Sequence, residues 1–153
     1  MNKTFLALGV AGVLTYSVPA MPVKAISTAY AQNSAENNQA RTAGLIRTAS
    51  LAISSSGKTI YINGTTASNL SMKSIGYKDI SIEHSLDGVD WEEEKPLGDL
   101  LKSDSSSYYL NNYSVSVKGG YYYRVSLNHY AKEKGLFGSS QSVSNTSNSV
   151  WIS

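Results

Sequence analysis

The sequence predicts an all-β chain, an antiparallel sandwich of seven strands, and three observations carry that expectation. The first is Tyr121-Tyr122-Tyr123-Arg124-Val125-Ser126-Leu127-Asn128-His129-Tyr130, led in by Gly119-Gly120. Read at a period of two, Tyr121, Tyr123, Val125, Leu127 and His129 share one face, and Tyr122, Arg124, Ser126, Asn128 and Tyr130 share the other. Consecutive aromatic and β-branched residues lose side-chain freedom in a helix but suit a pleated, half-buried surface. The second is Ile80, Ile82 and His84 alternating with Ser81, Glu83 and Ser85, followed by a turn at Leu86-Asp87-Gly88-Val89. Asp-Gly tolerates positive φ, so Trp91 opens a return strand. The third is the recurrence of turn residues between short alternating runs from Leu45 onward.

The chain opens on an export signal. Met1-Asn2-Lys3 supplies the positive end, residues 5–18 an apolar stretch, and Ala29-Tyr30-Ala31 a small-x-small cleavage pattern. The apolar stretch is too short for a membrane span and no second one follows. Cleavage after Ala31 leaves 122 residues, one domain's worth. Residues 32–44 are small and polar and read as a flexible leader; residues 45–153 are the domain.

The strands follow in order. Leu45–Ile53 is the first, closed by Ser54-Ser55-Ser56-Gly57, and Lys58–Thr66 the second, with Ile60 and Ile62 inward. Ala67–Ser74 reads as a loop with Met72 tucked at the core edge. Tyr77–Ser85 is the third strand, and the fourth returns from Trp91 along a charged edge that Pro96 keeps out of a sheet centre. Leu97–Lys102 reads as a short helical turn and Ser103–Ser106 as a linker. Tyr108–Val117, Tyr121–Tyr130 and Ser140–Ile152 complete the seven, with Ala131–Gly138 as a loop.

Two of these stretches carry resemblances. Tyr-x-aromatic-Arg-Val-x-apolar, two residues after a Gly, resembles strand F of fibronectin type III and related immunoglobulin-like sandwiches. That resemblance implies a tyrosine corner at Tyr121, its ring in the core and its hydroxyl on the backbone upstream. Lys118-Gly119-Gly120 replaces the Pro usual there. Ser85-x-Asp87-Gly88-x-x-Trp91 is similar to the C–C′ hairpin of many fibronectin III-like, discoidin-like and carbohydrate-binding sandwiches. It also resembles the sialidase Asp-box, one residue short of its spacing. The export signal, this hairpin, Gly-Gly-Tyr-Tyr-Tyr-Arg-Val, His129-Tyr130-Ala131-Lys132 and Ser147-Asn148-Ser149-Val150-Trp151-Ile152 together resemble a family of short secreted proteins from gut-type Gram-positive bacteria. The resemblance implies a fibronectin III-like sandwich and no particular activity.

Charge and composition exclude several classes. The whole chain has 13 Lys and Arg against 11 Asp and Glu, but Lys3 and Lys24 leave with the signal, so the exported chain is formally neutral. No Lys/Arg cluster survives in the sequence, so neither nucleic acid nor an anionic membrane is expected as a partner. The absence of cysteine removes thiol catalysis, Cys-ligated zinc and lipid attachment at an N-terminal Cys. The four Asn-x-Ser/Thr sequons, at Asn63, Asn69, Asn112 and Asn145, are read as chance in so Asn- and Ser-rich a chain.

Four constellations were weighed for chemistry. His84 and His129 fall at opposite ends of two adjacent antiparallel strands, about 26 Å apart at 3.3 Å per residue, too far to share a metal. Asp87, Asp90, Glu92, Glu93 and Glu94 lack calcium-loop spacing; Glu92 and Glu94 should point one way and Glu93 the other, as a solvated edge. Serine is abundant without a nucleophile elbow or a Ser-x-x-Lys set, and the domain is small for a glycosidase cleft. No catalytic, metal or cofactor-binding residue is therefore assigned, and the chain reads as a non-enzyme. The fourth constellation is aromatic. Tyr121, Tyr123 and one Trp are expected in the core, while Tyr122, Tyr130, Tyr61 and one of Tyr108 or Tyr109 face water. Tyr122, Tyr130 and Trp91 are the candidate ligand-binding residues. The expectation is a secreted, non-enzymatic interaction module for a surface protein, with a carbohydrate- or cell-wall-binding module, its sugars stacked on those rings, as the alternative.

Overall fold

The computed structural model describes residues 44–153. The export signal expected over 1–31 lies outside them, as does all of the expected leader except Gly44. Three quarters of the described residues are strand and none is helix, as the alternation requires. The strands are β1 (Thr48–Ser56), β2 (Thr59–Ser85), β3 (Glu92–Ser116), β4 (Tyr121–Lys132), β5 (Ser140–Thr146) and β6 (Val150–Ile152). All pair antiparallel in one sheet, which curls into a half-barrel.

Six strands, rather than seven, arise because two interruptions read from the sequence are absent and the last expected strand is split in two. Residues 67–74 continue β2, and residues 97–106 continue β3 with neither a helical turn nor a linker. Each stretch is the other's partner: Met72 faces Ser105, Ser74 faces Ser103 and Ile75 faces Lys102. A long hairpin satisfies both sets of backbone groups at once, which outweighs the weak strand preference of Ser, Asn and Gly. The interruptions survive as bulges. Register shifts fall between Ala67 and Met72 and between Tyr77 and Ile80, and Asp79, Gly98, Asp104 and Asn112 take positive φ. Bulges bend and twist the strand that carries them. The bent β2 therefore keeps β3 along one edge and divides the other, its first half pairing β1 and its second half β4. The last expected strand splits as well: β5 lies along the end of β4 and β6 along its beginning. Across that break Ser147 stands in for a ladder pair, its N–H donating to the Val125 carbonyl (2.9 Å) and its hydroxyl accepting from the Val125 N–H (3.0 Å).

The concave side is the core. Ile53, Ile60, Ile62, Tyr77, Ile80, Ile82, Val125, Leu127 and Ile152 pack with Tyr123 in one cluster. Ile46, Ala49, Met72, Ile75 and Ala131 form a smaller one. The seam where β1 approaches β5 is closed by side chains. Ile46 N–H donates to the Gln141 side chain (2.9 Å), and the Asn148 amide both accepts from Ile53 N–H and donates to its carbonyl (3.3 Å each).

The buried ring and upstream backbone bond expected of Tyr121 belong to Tyr123, whose hydroxyl donates to the Lys118 carbonyl (3.0 Å). Tyr121 lies nearer the strand end, half-buried and edge-on to His84 (4.8 Å between centroids). Tyr123→Phe is expected to cost about 1 kcal/mol, the net worth of one hydrogen bond. It should lower the urea midpoint without changing the slope of the transition, and an unchanged midpoint would show that this bond contributes nothing.

Candidate binding surface

The convex face of β4 is built by the alternation that buries its concave face. Tyr122, Arg124, Ser126, Asn128 and Tyr130 all point outward and half-buried, between β2 on one side and β5 and β6 on the other. Arg124 is the hub. Its guanidinium holds the Glu83 carboxylate on β2 (2.5 Å) and lies 4.2 Å over the Trp91 ring, a cation–π contact. The same carboxylate accepts from the Ser126 hydroxyl (2.8 Å). Glu83 also faces Glu93 across the β2–β3 ladder, a like-charge pairing relieved because Arg124 takes Glu83 and the Ser81 hydroxyl takes Glu93 (2.8 Å).

Trp91 reaches this face because of the loop at 86–91. The Ser85 hydroxyl donates to the Asp87 carboxylate (2.9 Å) and accepts from the Gly88 N–H (2.8 Å). The carboxylate then accepts from the N–H groups of Val89 and Asp90 (2.8 and 3.0 Å). Those backbone donors, with Ser85 behind them, hold the Asp87 carboxyl below its usual range. The turn is thus locked from within. It closes over Tyr122, since a methyl on Gly88 would sit 3.8 Å from that ring. Tyr122 in turn meets Trp151, its register partner on β6, at 4.9 Å and 62°. Trp91 with Arg124, and Tyr122 with Trp151, are two pairs set on successive outward positions of β4.

The three candidate residues do not form one site. Tyr122 and Trp91 lie together, whereas Tyr130 is eight residues along β4, about 26 Å away at 3.3 Å per residue, with the Lys78 ammonium 4.4 Å over its ring. Neither tryptophan joins the core: Trp91 is half-buried and Trp151 is 50% exposed. Arg124 and Trp151 were missed as site residues. Arg124 was legible as the outward neighbour of Tyr122 at i+2. Trp151 was not, because its place depends on β6 returning beside the start of β4.

The histidines occupy opposite ends, as their strand positions require: His84 faces Tyr123 and His129 faces Tyr77. His84 Nδ1 lies 3.3 Å from the Glu94 carboxylate without hydrogen-bond geometry, and Nε2 lies 4.0 Å from that of Glu92. Glu93 points the other way to Ser81, so the alternation read along Glu92-Glu93-Glu94 is observed. Beside His84 a shallow depression of about 320 Å³ is lined by Asp87, Asp90, Glu92 and Tyr121. No group of three or more His, Asp or Glu among the described residues is placed to hold a metal ion. His129 is fully buried, with Nδ1 2.8 Å from the Thr66 hydroxyl and Nε2 3.4 Å from the Asn145 amide nitrogen. The Thr66 hydroxyl gives its proton to the Gly76 carbonyl (3.1 Å), so Nδ1 must be the donor and Nε2 the acceptor. The ring is neutral, and burial pulls its pKa down to about 4. Burial likewise pushes the Tyr77 phenol well above its usual range. These are structural groups of the core.

No family model, curated protein or solved structure matches the chain.

Proposed function

We propose that this chain is a secreted, non-enzymatic interaction module that binds a protein through Trp91, Tyr122, Arg124 and Trp151. The observation that carries the reading is Arg124 stacked on Trp91 and anchored by Glu83. Tryptophan, tyrosine and arginine are the residues that dominate protein–protein binding energy, most of all when held in place before the partner arrives. The alternative, a carbohydrate-binding module, needs open ring faces and unengaged hydrogen-bonding groups. Here Arg124 covers one face of Trp91 and Lys78 one face of Tyr130. Ser126, Asn128 and Ser144 between them already bond Glu83, Asp79 and one another. Export rests on the N-terminal segment. Kinship with fibronectin III-like sandwiches, and with short secreted Gram-positive proteins, rests on the sequence resemblances alone.

Pull-down from whole cells with residues 32–153, followed by affinity measurement on the recovered protein, tests this. Trp91→Ala and Trp151→Ala should each weaken binding by roughly 30-fold or more, the loss typical of a hot-spot residue, while Tyr130→Ala leaves it within about threefold. Competition by soluble glycans, or hits on a glycan array lost in Trp91→Ala, would replace this reading with the carbohydrate one. Hydrolysis of an ester, peptide or glycoside that persists through repurification would overturn both.

A further inference from the structure

We propose that the loop between β4 and β5 is a tip that inserts into anionic phospholipid membranes. Its centre, Leu136-Phe137, is 92% and 94% exposed, the two most exposed large apolar side chains among the described residues. Large apolar groups left this open are costly in water and mark a surface meant to be covered. The loop is shaped beforehand. Glu133 N–H donates to the Ser139 carbonyl (2.9 Å), and Ser139 N–H donates back to the Glu133 carboxylate (3.2 Å). Gly138 fits over this base only without a side chain, since a methyl there would lie 2.5 Å from the Glu133 carbonyl oxygen. The base is closed and the tip projects.

Charge decides between a lipid surface and a protein pocket. The expected exported chain is formally neutral, but its fold brings one group of lysines together. Ser74 pairs Lys132 on one side and Ser103 on the other, so Lys73, Lys102 and Lys132 come to one level of three adjacent strands at the root of the loop. The two acids at this end are engaged: Asp104 by Lys134 (2.9 Å) and Glu133 by the Ser139 N–H. Lys73, Lys102 and Lys132 have no carboxylate within ion-pair distance among the described residues. The opposite end carries Asp87, Asp90, Glu92, Glu93 and Glu94 together with Lys95 and Lys118, whereas at the root of this loop Lys73, Lys102, Lys132 and Lys134 outnumber Asp104 and Glu133, with the apolar pair beyond them. An apolar tip with lysines at its root matches an acyl layer beneath anionic headgroups. The proposal departs from the expectation that the exported chain has no membrane partner, which counted charges along the sequence and not in space. The inference does not depend on the protein-binding reading, whose residues lie at the other end.

Residues 32–153, which hold every strand and both core clusters, are sedimented with vesicles of phosphatidylglycerol and phosphatidylcholine in equal parts, and with vesicles of phosphatidylcholine alone. Binding is expected to the anionic vesicles, at least tenfold weaker to the neutral ones, and weaker at high salt. The double variant Leu136→Ser, Phe137→Ser should lose at least tenfold in vesicle affinity with an unchanged thermal midpoint, since neither side chain is packed. Lys73→Glu with Lys132→Glu should abolish the preference for phosphatidylglycerol, and Trp91→Ala should change nothing. Failure of the wild-type chain to bind the anionic vesicles overturns the proposal, as does equal binding by the Leu136, Phe137 variant. So does concentration-dependent self-association, without vesicles, that the same variant removes, because the tip's occupant would then be a second copy.

Discussion

Gly76→Ala is expected to destabilise the fold by roughly 3–5 kcal/mol, the sum of an overpacking and a backbone-strain cost. Gly76 sits where β2 is sandwiched between Leu101 of β3 and Tyr130 of β4, and its φ is +152°. A methyl there would lie 2.1 Å from the Leu100 carbonyl oxygen, a backbone atom that cannot move without opening the β2–β3 ladder. Its own carbonyl is also fixed, by the Thr66 hydroxyl that supports His129. Gly57→Ala provides the control: φ is +54° but nothing lies within 4 Å, so it should cost only about 1–2 kcal/mol. Urea denaturation of both variants decides the matter. Equal costs at the two positions would mean that the close approach of β2 and β3 is not a constraint.

Acid should weaken the protein through His129 before the carboxylates act. The folded imidazole titrates at about 4, below the usual value of 6.5. Between those two values the unfolded chain holds a proton that the folded chain excludes. Stability therefore rises with pH through that window and falls as pH is lowered from 6.5 to 4. The loss is on the order of 3 kcal/mol, then levels off once both states are protonated. Asp87 acts in the same direction but lower on the scale. Its carboxyl is held below its ordinary value, so its contribution is lost only as pH falls through that depressed range. His129→Gln offers an N–H to Thr66 and an oxygen toward Asn145 without titrating. Chemical denaturation between pH 7 and 4 should give a steep slope for the wild type and a shallower one for the variant. Parallel curves would mean that His129 is not buried as a neutral ring.

These two effects also show how far the sequence could be read. The faces of Tyr121–Tyr130 and the inward Ile60, Ile62, Ile80 and Ile82 follow from a period of two, and period is local; the adjacency of β2 and β4 came from the topology that the strand resemblances imply. Met72 at a core edge followed from a lone apolar side chain in polar surroundings. The continuity of β2 and β3 through residues 67–74 and 97–106 was not legible. It depends on two unremarkable segments being each other's partners, and neither shows that alone. The constraint on Gly76 was hidden for the same reason, since the Leu100 carbonyl it must avoid lies 24 residues away. The buried tyrosine was displaced by two positions because Tyr121 and Tyr123 share a face and only depth separates them. On the convex face, Tyr122 was legible as an outward aromatic and Trp91 as the residue that opens the strand after the Asp-Gly turn. Their union required the turn at Ser85 to Asp90 to fold Trp91 back onto Arg124.

The seam between β1 and β5 has a consequence for alignment. A ladder of backbone bonds repeats every two residues, so a strand can slide by two and still find partners on the correct face. Gln141 and Asn148 each match a single peptide group, at Ile46 and at Ile53. Slippage by one step would strand both amides at once. Two side chains therefore index the first described strand against the last ones, giving the curled sheet a closure that admits one alignment where a continuous ladder would admit several.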